Sequence, residues 1–188
     1  ARRIARLPRH LALMMLNRRF SVLAKKENAP FTSAGVSVQE GFDLFREAGV
    51  DLDCKPEQWS AALAVGEQEL RRALSHGFTT AELREAAANL ANALDQSAKS
   101  AATRPHAALA SGLAESFTSR RVFTAPAADL ALLKPALEQI TPAACLTALR
   151  AAFSAEGRYL LVSGNAKIPG DARAAITAAY AAARAVPV

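Results

Sequence analysis

The chain has little of what usually advertises a chemistry. Two cysteines and three histidines occur in 188 residues, and no C-x-x-C spacing is present, so neither a disulfide framework nor a thiol zinc site is indicated. Cys54 and Cys145 lie far apart among apolar neighbours. Two buried structural thiols are expected, with a single bridge between them left open. None of His10, His76 and His106 has a histidine or cysteine three or four residues away, the spacing that puts two ligands on one helix face. His76, just before Gly77, is expected at a helix C-terminus instead, where it meets exposed carbonyls. No apolar run approaches the ~20 residues needed to span a bilayer. The longest near the start is Leu11 to Leu16, and Arg18 and Arg19 follow it without a small-residue cleavage site, so it fails as a secretory signal. The chain opens at Ala1 without a methionine and is read as an excised or processed part of something longer.

Acid is missing from the first 26 residues, which hold eight cations: Arg2, Arg3, Arg6, Arg9, Arg18, Arg19, Lys25 and Lys26. The net charge of +6 therefore belongs to one segment, and the rest, with 15 basic and 17 acidic groups, is at −2. Such a stripe can meet phosphate, anionic lipid or an acidic polypeptide. The plainer reading is a solvated helix face whose partner surface lies outside this chain. No aromatics interleave with the arginines as single-strand nucleic-acid binding would want, so nucleic acid is disfavoured.

What is present is an apolar content of 51% in a domain-sized chain, enough to bury one core. Leu7, Leu11, Met14 or Met15, and Arg18 or Arg19 recur at helical spacing, predicting a helix from near Pro8 to about Lys26, ended by Asn28 and Pro30. Alternation from Phe31 to Val38, and again over Val50 to Lys55, predicts two antiparallel strands separated by an interruption at 41–47. Asp51 and Asp53 share the outward face of the second. Pro56 opens a helix stopped by Gly77, with Trp59, Leu63, Leu70 and Leu74 on its inner side. Thr79 and Glu82 form a capping box for an alanine-rich helix over 80–99. Further helices are predicted from Arg104-Pro105 to about Ser119, over 127–138, from Thr141-Pro142 to near Phe153, and after Asp171. A short strand or turn is expected at 122–124. Tyr159-Leu160-Leu161-Val162, bounded by Gly164, reads as a buried strand. The class is α+β, with an antiparallel or mixed sheet packed against a layer of helices.

No catalytic constellation emerges. Ser111-Gly112 and Ser163-Gly164 lack the G-x-S-x-G elbow and a base, Gly164-Asn165 lacks both phosphate-loop patterns, and Asp51 and Asp53 read as solvated charges. No residue is assigned a catalytic, cofactor-binding or metal-binding role.

Three stretches, in order, resemble the pitrilysin/insulinase-type zinc metallopeptidases (inverzincins). They are Leu16-Asn17-Arg18-Arg19-Phe20 with Leu23, Lys26 and Glu27; Trp59 to Leu74 followed by Gly77-Phe78-Thr79 and Glu82-Leu83; and Ile140-Thr141-Pro142 with Phe153 and Tyr159 to Gly164. The resemblance covers about Leu11 to Gly164. It implies the second domain of one half of such an enzyme, with the metallopeptidase LuxS-like fold. Residues 1–168 form that domain, 1–10 leading into it, and 169–188 form a terminal helix and linker towards the next half.

The resemblance implies zinc held by an H-x-x-E-H helix in the preceding domain, and that motif is absent from this chain. In active members the closing domain of the opposite half offers an arginine and, seven residues on, a tyrosine; here those positions hold Ala24 and Phe31, which can neither carry charge nor donate to an oxyanion. The implied role is a non-catalytic domain that helps form the substrate chamber of a zinc endopeptidase, inactive alone and holding no zinc. The implied partners are the catalytic domain, the second half of the same peptidase and a peptide substrate, with no membrane. The compartment is open, bacterial periplasm and cytoplasm both fitting. The alternative is an assembly or binding module that uses the basic first helix.

Overall fold

The leading segment is helical from its first described residue. In the computed structural model, which describes residues 2–41, 44–119, 121–155 and 157–188, α1 runs Arg2–Ala24. It begins a turn and a half before the onset expected at Pro8, which sits inside the helix and leaves one carbonyl without its i+4 donor. Burial explains the difference: Leu7, Leu11, Ala12, Met15, Leu16 and Phe20 form one continuous buried stripe that includes the turn ahead of the proline. α1 is thereby the central element of the core.

β1 (Ser33–Gly41) and β2 (Phe45–Asp53) make an antiparallel hairpin in register from Ser33↔Asp53 to Gly41↔Phe45. Gly41 and Phe45–Glu47, expected to interrupt the strands, belong to them instead, and Phe42 and Asp43 of that stretch lie outside the described residues. The outer half of the hairpin is exposed on both faces at Gln39, Glu40 and Phe45–Glu47, so no apolar alternation marks it in the sequence. Nearer the core, Ala34, Val36, Val50 and Leu52 face the helices, while Asp51 and Asp53 point outward as expected.

After a 3-10 turn at Pro56–Gln58 come α2 (Trp59–His76) and α3 (Thr80–Lys99), then α4 (His106–Thr118), α5 (Pro126–Leu137), α6 (Pro142–Ala152) and α7 (Ala172–Ala185). β1, α3, α5 and α6 pack against α1, and α7 packs against α2. The deepest line of α2 is Ala62, Gly66 and Ala73 rather than the expected Trp59, Leu63, Leu70 and Leu74, which are half-buried. Small residues let the helix approach its neighbours: a Cβ on Gly66 would stand 2.8 Å from Leu52 Cδ1.

The capping box is formed as the sequence predicts, with Thr79 and Glu82 satisfying each other's orphan backbone donors. Thr141 and Asp171 likewise cap α6 and α7 through their side chains. No strand forms at Tyr159–Val162, which is irregular, with Tyr159 73% and Leu161 70% exposed. A strand needs a ladder partner as well as apolar residues, and among the described residues none lies beside it. The segment 122–124 is irregular too. The whole is an α+β fold in which a two-stranded antiparallel sheet lies against helices. No described helix is long and apolar enough to cross a membrane.

Gly77 ends α2 at φ 72°, its N–H donating to the Ala73 carbonyl at 2.9 Å, and an added Cβ would lie 3.1 Å from Leu146 Cδ2. Gly77→Ala is expected to cost about 1–3 kcal/mol for the backbone conformation alone. Urea denaturation checks it: the midpoint should fall with the slope unchanged.

Candidate functional site

The motif residues meet one another. Asn17 projects from α1 to β1, where its Nδ2 donates to the Val36 carbonyl at 3.0 Å and its Oδ1 accepts from the Val36 N–H at 2.8 Å. The amide thus occupies the free edge of β1 as a neighbouring strand would. Two residues on, Arg19 donates through Nε to Glu82 Oε1 at 2.5 Å and through Nη2 to Glu82 Oε2 at 3.0 Å and the Gly77 carbonyl at 2.9 Å. Its guanidinium lies 5.0 Å from the Phe78 ring centroid and 3.5 Å from Glu69 Oε1. One arginine of the first stretch therefore grips the glycine, the phenylalanine and the capping glutamate of the second.

Arg3, Arg6, Arg9 and Arg18 are also matched within the chain. Arg3 binds Asp129, the Thr124 hydroxyl and the Val122 carbonyl, holding 122–124 in irregular form. Arg6 and Arg9 share Glu40 at 2.9 and 2.6 Å, and Arg18 meets Glu85 at 3.0 Å. The basic stripe was expected either to face an external anion or to lie solvated with its partner surface elsewhere. The acids that answer it instead lie on β1, α2, α3 and α5 of this same chain, brought to α1 only by folding. Hydrogen bonding from Arg9 is the main cause that holds the Glu40 carboxyl below its usual range.

The other candidates remain separate. Cys145 is fully buried and burial pushes its thiol up to about 11, while Cys54 is half-buried with its thiol raised by burial and by Asp53 and Glu57; both are free. His10 lies on α1, His106 opens α4, and His76 closes α2 with its Nε2 3.1 Å from the Val188 carbonyl. Two carboxylates are deeply buried but committed: Glu67 to Arg71 at 3.1 Å, and Glu69 to Arg72 at 2.7 Å as well as Arg19. Arg71 Nη2 also donates to the Ala183 carbonyl at 3.1 Å, fastening α7 to α2.

Of the two positions singled out by the resemblance, Phe31 lines an open groove beyond the end of α1 and Ala24 does not. Phe31 is 3% exposed and meets Phe20 edge-on with centroids 6.4 Å apart, while Ala24 is half-buried against the core. The groove, of about 390 Å³, is lined by Leu23, Ala29, Pro30, Phe31 and Val65, with Lys26, Glu27 and Asn28. Such a lining can hold an apolar group but presents no paired acid and base. Val65 comes from α2, whereas Leu23 ends α1 and the other lining residues follow that helix, and nothing local in the sequence signals that it joins them.

No protein-family model and no curated protein matches the chain. Solved structures do. A protein described as a predicted insulinase family protease from Yersinia pestis superposes with a TM-score of 0.75 at 19% identity, covering 94% of this chain and 38% of its own. The first half of the periplasmic protease PqqL from Escherichia coli gives 0.70 at 17% identity, covering 80% of this chain and 32% of its own. The chain thus spans about a third of the length of these two proteins, and at such identities the likeness is one of fold.

Burial pushes the Glu82 carboxyl up, but Arg19 together with the N–H and hydroxyl of Thr79 outweighs it and holds the group below its usual range. The stability Glu82 contributes is therefore complete above its unfolded value of 4.5 and lost as pH falls through the lower folded value. Glu82→Gln should flatten that part of the acid limb in denaturation curves taken between about pH 5 and 3. Arg19→Met should destabilise by on the order of 2 kcal/mol at neutral pH, with Arg19→Lys recovering only part because it cannot reproduce the fork.

Proposed function

We propose that this chain is the second, non-catalytic domain of one half of a pitrilysin/insulinase-type zinc metalloendopeptidase, where it stands beside the metal-bearing domain and helps wall the substrate chamber. The observation that carries the reading is the clasp in which Arg19 of the first motif holds Gly77, Phe78 and Glu82 of the second. The first two stretches of the family pattern are thus interlocked, and the fold likeness to insulinase-type proteases agrees with it. In this proposal residues 1–168 are the domain and 169–188 lead towards the next half. A peptide is the substrate of the whole enzyme, and the periplasm, the location given for PqqL, fits as its compartment.

Zinc does not fit the residues present. Among the described residues no three His, Cys, Asp or Glu side chains come together as a metal site, and the buried carboxylates already serve arginines. The metal chemistry of the proposed enzyme is therefore assigned to the neighbouring domain, and no step of it runs through this chain. What this chain supplies is an apolar groove bounded by Phe31, which can contact a bound peptide without reacting with it. The rival reading, docking of nucleic acid or an acidic partner by α1, is weakened because the arginines it needs are engaged by Glu40, Glu82, Glu85 and Asp129.

Two measurements test the proposal. The open reading frame upstream of residue 1 should encode an H-x-x-E-H helix, and a frame without one would remove the enzyme from the reading. Titration of the purified chain with duplex and single-stranded DNA should give weak binding with no steep salt dependence, because phosphate recognition by free arginines would weaken sharply as salt rises.

A further inference from the structure

The pairing of α1 with acids of its own chain moves the unmatched charge to the other end of the sequence. Residues 27–156 hold 11 basic and 16 acidic groups, a counterweight to the eight cations before them. Residues 157–188 carry Arg158, Lys167, Arg173 and Arg184 against Asp171 alone. That carboxylate is occupied, its Oδ1 accepting from the Arg173 and Ala174 N–H groups at the start of α7. Among the described residues, none of the four cations forms an ion pair. Two of them converge on one side chain. Arg158 donates through Nη1 to the Tyr180 hydroxyl oxygen at 2.7 Å, and the Arg184 guanidinium lies over the Tyr180 ring, 6.0 Å from its centroid.

A phenol that accepts from Arg158 keeps its own hydrogen to donate, and each guanidinium has further N–H groups in a planar fork. Tyr180 is half-buried while Arg158 and Arg184 are exposed, so the ring is a support with two cations at its rim. Arg173, Tyr180 and Arg184 fall on one side of α7, spanning about 16 Å at the helical rise. Hydroxyl and guanidinium donors without acids of their own are the complement of an oxyanion. The surface beside them narrows the choice. Exposed Ala174, Thr177 and Ala181 give a shallow floor that suits the methylene stems of glutamate, and the one aromatic ring, Tyr180, is already covered by Arg184 and is closed to a stacking base. We propose that Arg158, Tyr180 and Arg184, extended by Arg173, form a docking site for a glutamate-rich segment of another polypeptide. The inference does not depend on the peptidase reading, since it rests on the charges and geometry around α7 alone.

Fluorescence anisotropy of a labelled hexaglutamate peptide, titrated with the 188-residue chain at low ionic strength, tests it. Saturable binding that weakens as salt is added is expected. Arg184→Gln and Tyr180→Phe should each reduce affinity by about fivefold or more, and Arg158→Gln joined to Arg184→Gln should abolish binding. Arg184→Gln keeps the test independent of folding, because Arg184 is exposed and α7 stays fastened by Arg71 at the Ala183 carbonyl. Arg6→Gln joined to Arg18→Gln removes the same charge from α1 and should leave affinity within about twofold, which separates a local site from the overall charge. Absence of saturable binding, equal losses from the α1 and α7 pairs, or affinity unchanged by either Arg184→Gln or Tyr180→Phe would overturn the proposal. So would tighter binding of inorganic phosphate or of oligo-dT than of the peptide, since the donors would then serve phosphate.

Discussion

The structure depends on one helix being buried along a stripe and tied along its rim. α1 places Leu11, Leu16 and Phe20 wholly out of solvent, and burying apolar surface of this kind is the main favourable term in folding. A helix so enclosed has its polar residues at the margins, where each neighbouring element passes. Arg6 and Arg9 reach β1, Arg18 and Arg19 reach α3, and Arg3 reaches α5. Exposed ion pairs are individually weak, so the arginines set orientation more than they add stability. Arg19 differs because it also meets the buried Glu69 and satisfies the Gly77 carbonyl left free by the end of α2.

That arrangement changes the meaning of the charge imbalance. A segment with eight cations and no acid looks like a surface built for an outside anion. Its acids lie tens of residues away, Glu40 being 31 residues from Arg9 and Asp129 126 residues from Arg3. Charge segregation along a sequence need not survive as charge segregation in space. Here folding pairs Arg3, Arg6, Arg9, Arg18 and Arg19 with acids of other elements, and the surface these five offer to polyanions is smaller than the composition suggests.

Local signals were legible and partnered ones were not. The capping box at Thr79 and Glu82, the glycine stop at residue 77 and the caps at Thr141 and Asp171 each rest on a few neighbouring residues, and each stands where the sequence places it. The outer half of the hairpin was missed because residues exposed on both faces leave no period-two trace. Tyr159 to Val162 failed for the opposite reason: its apolar pattern is strand-like, but a ladder partner is a non-local fact that no residue within the run can report. The groove was likewise invisible, since Val65 joins Leu23 and Phe31 only when α2 has packed in place.

Val36 within β1 and Phe31 just before it are engaged in different ways. At Val36 the free edge of the sheet is occupied by the Asn17 amide, so that edge is taken by the fold itself. Near its start, Phe31 turns inward against Phe20 and leaves an apolar groove where a polar catalytic group would need an outward path. A side chain buried for packing cannot at the same time be aimed at a developing charge. Position 31 thus secures the helix beneath it, Phe31 meeting Phe20 edge-on within the core.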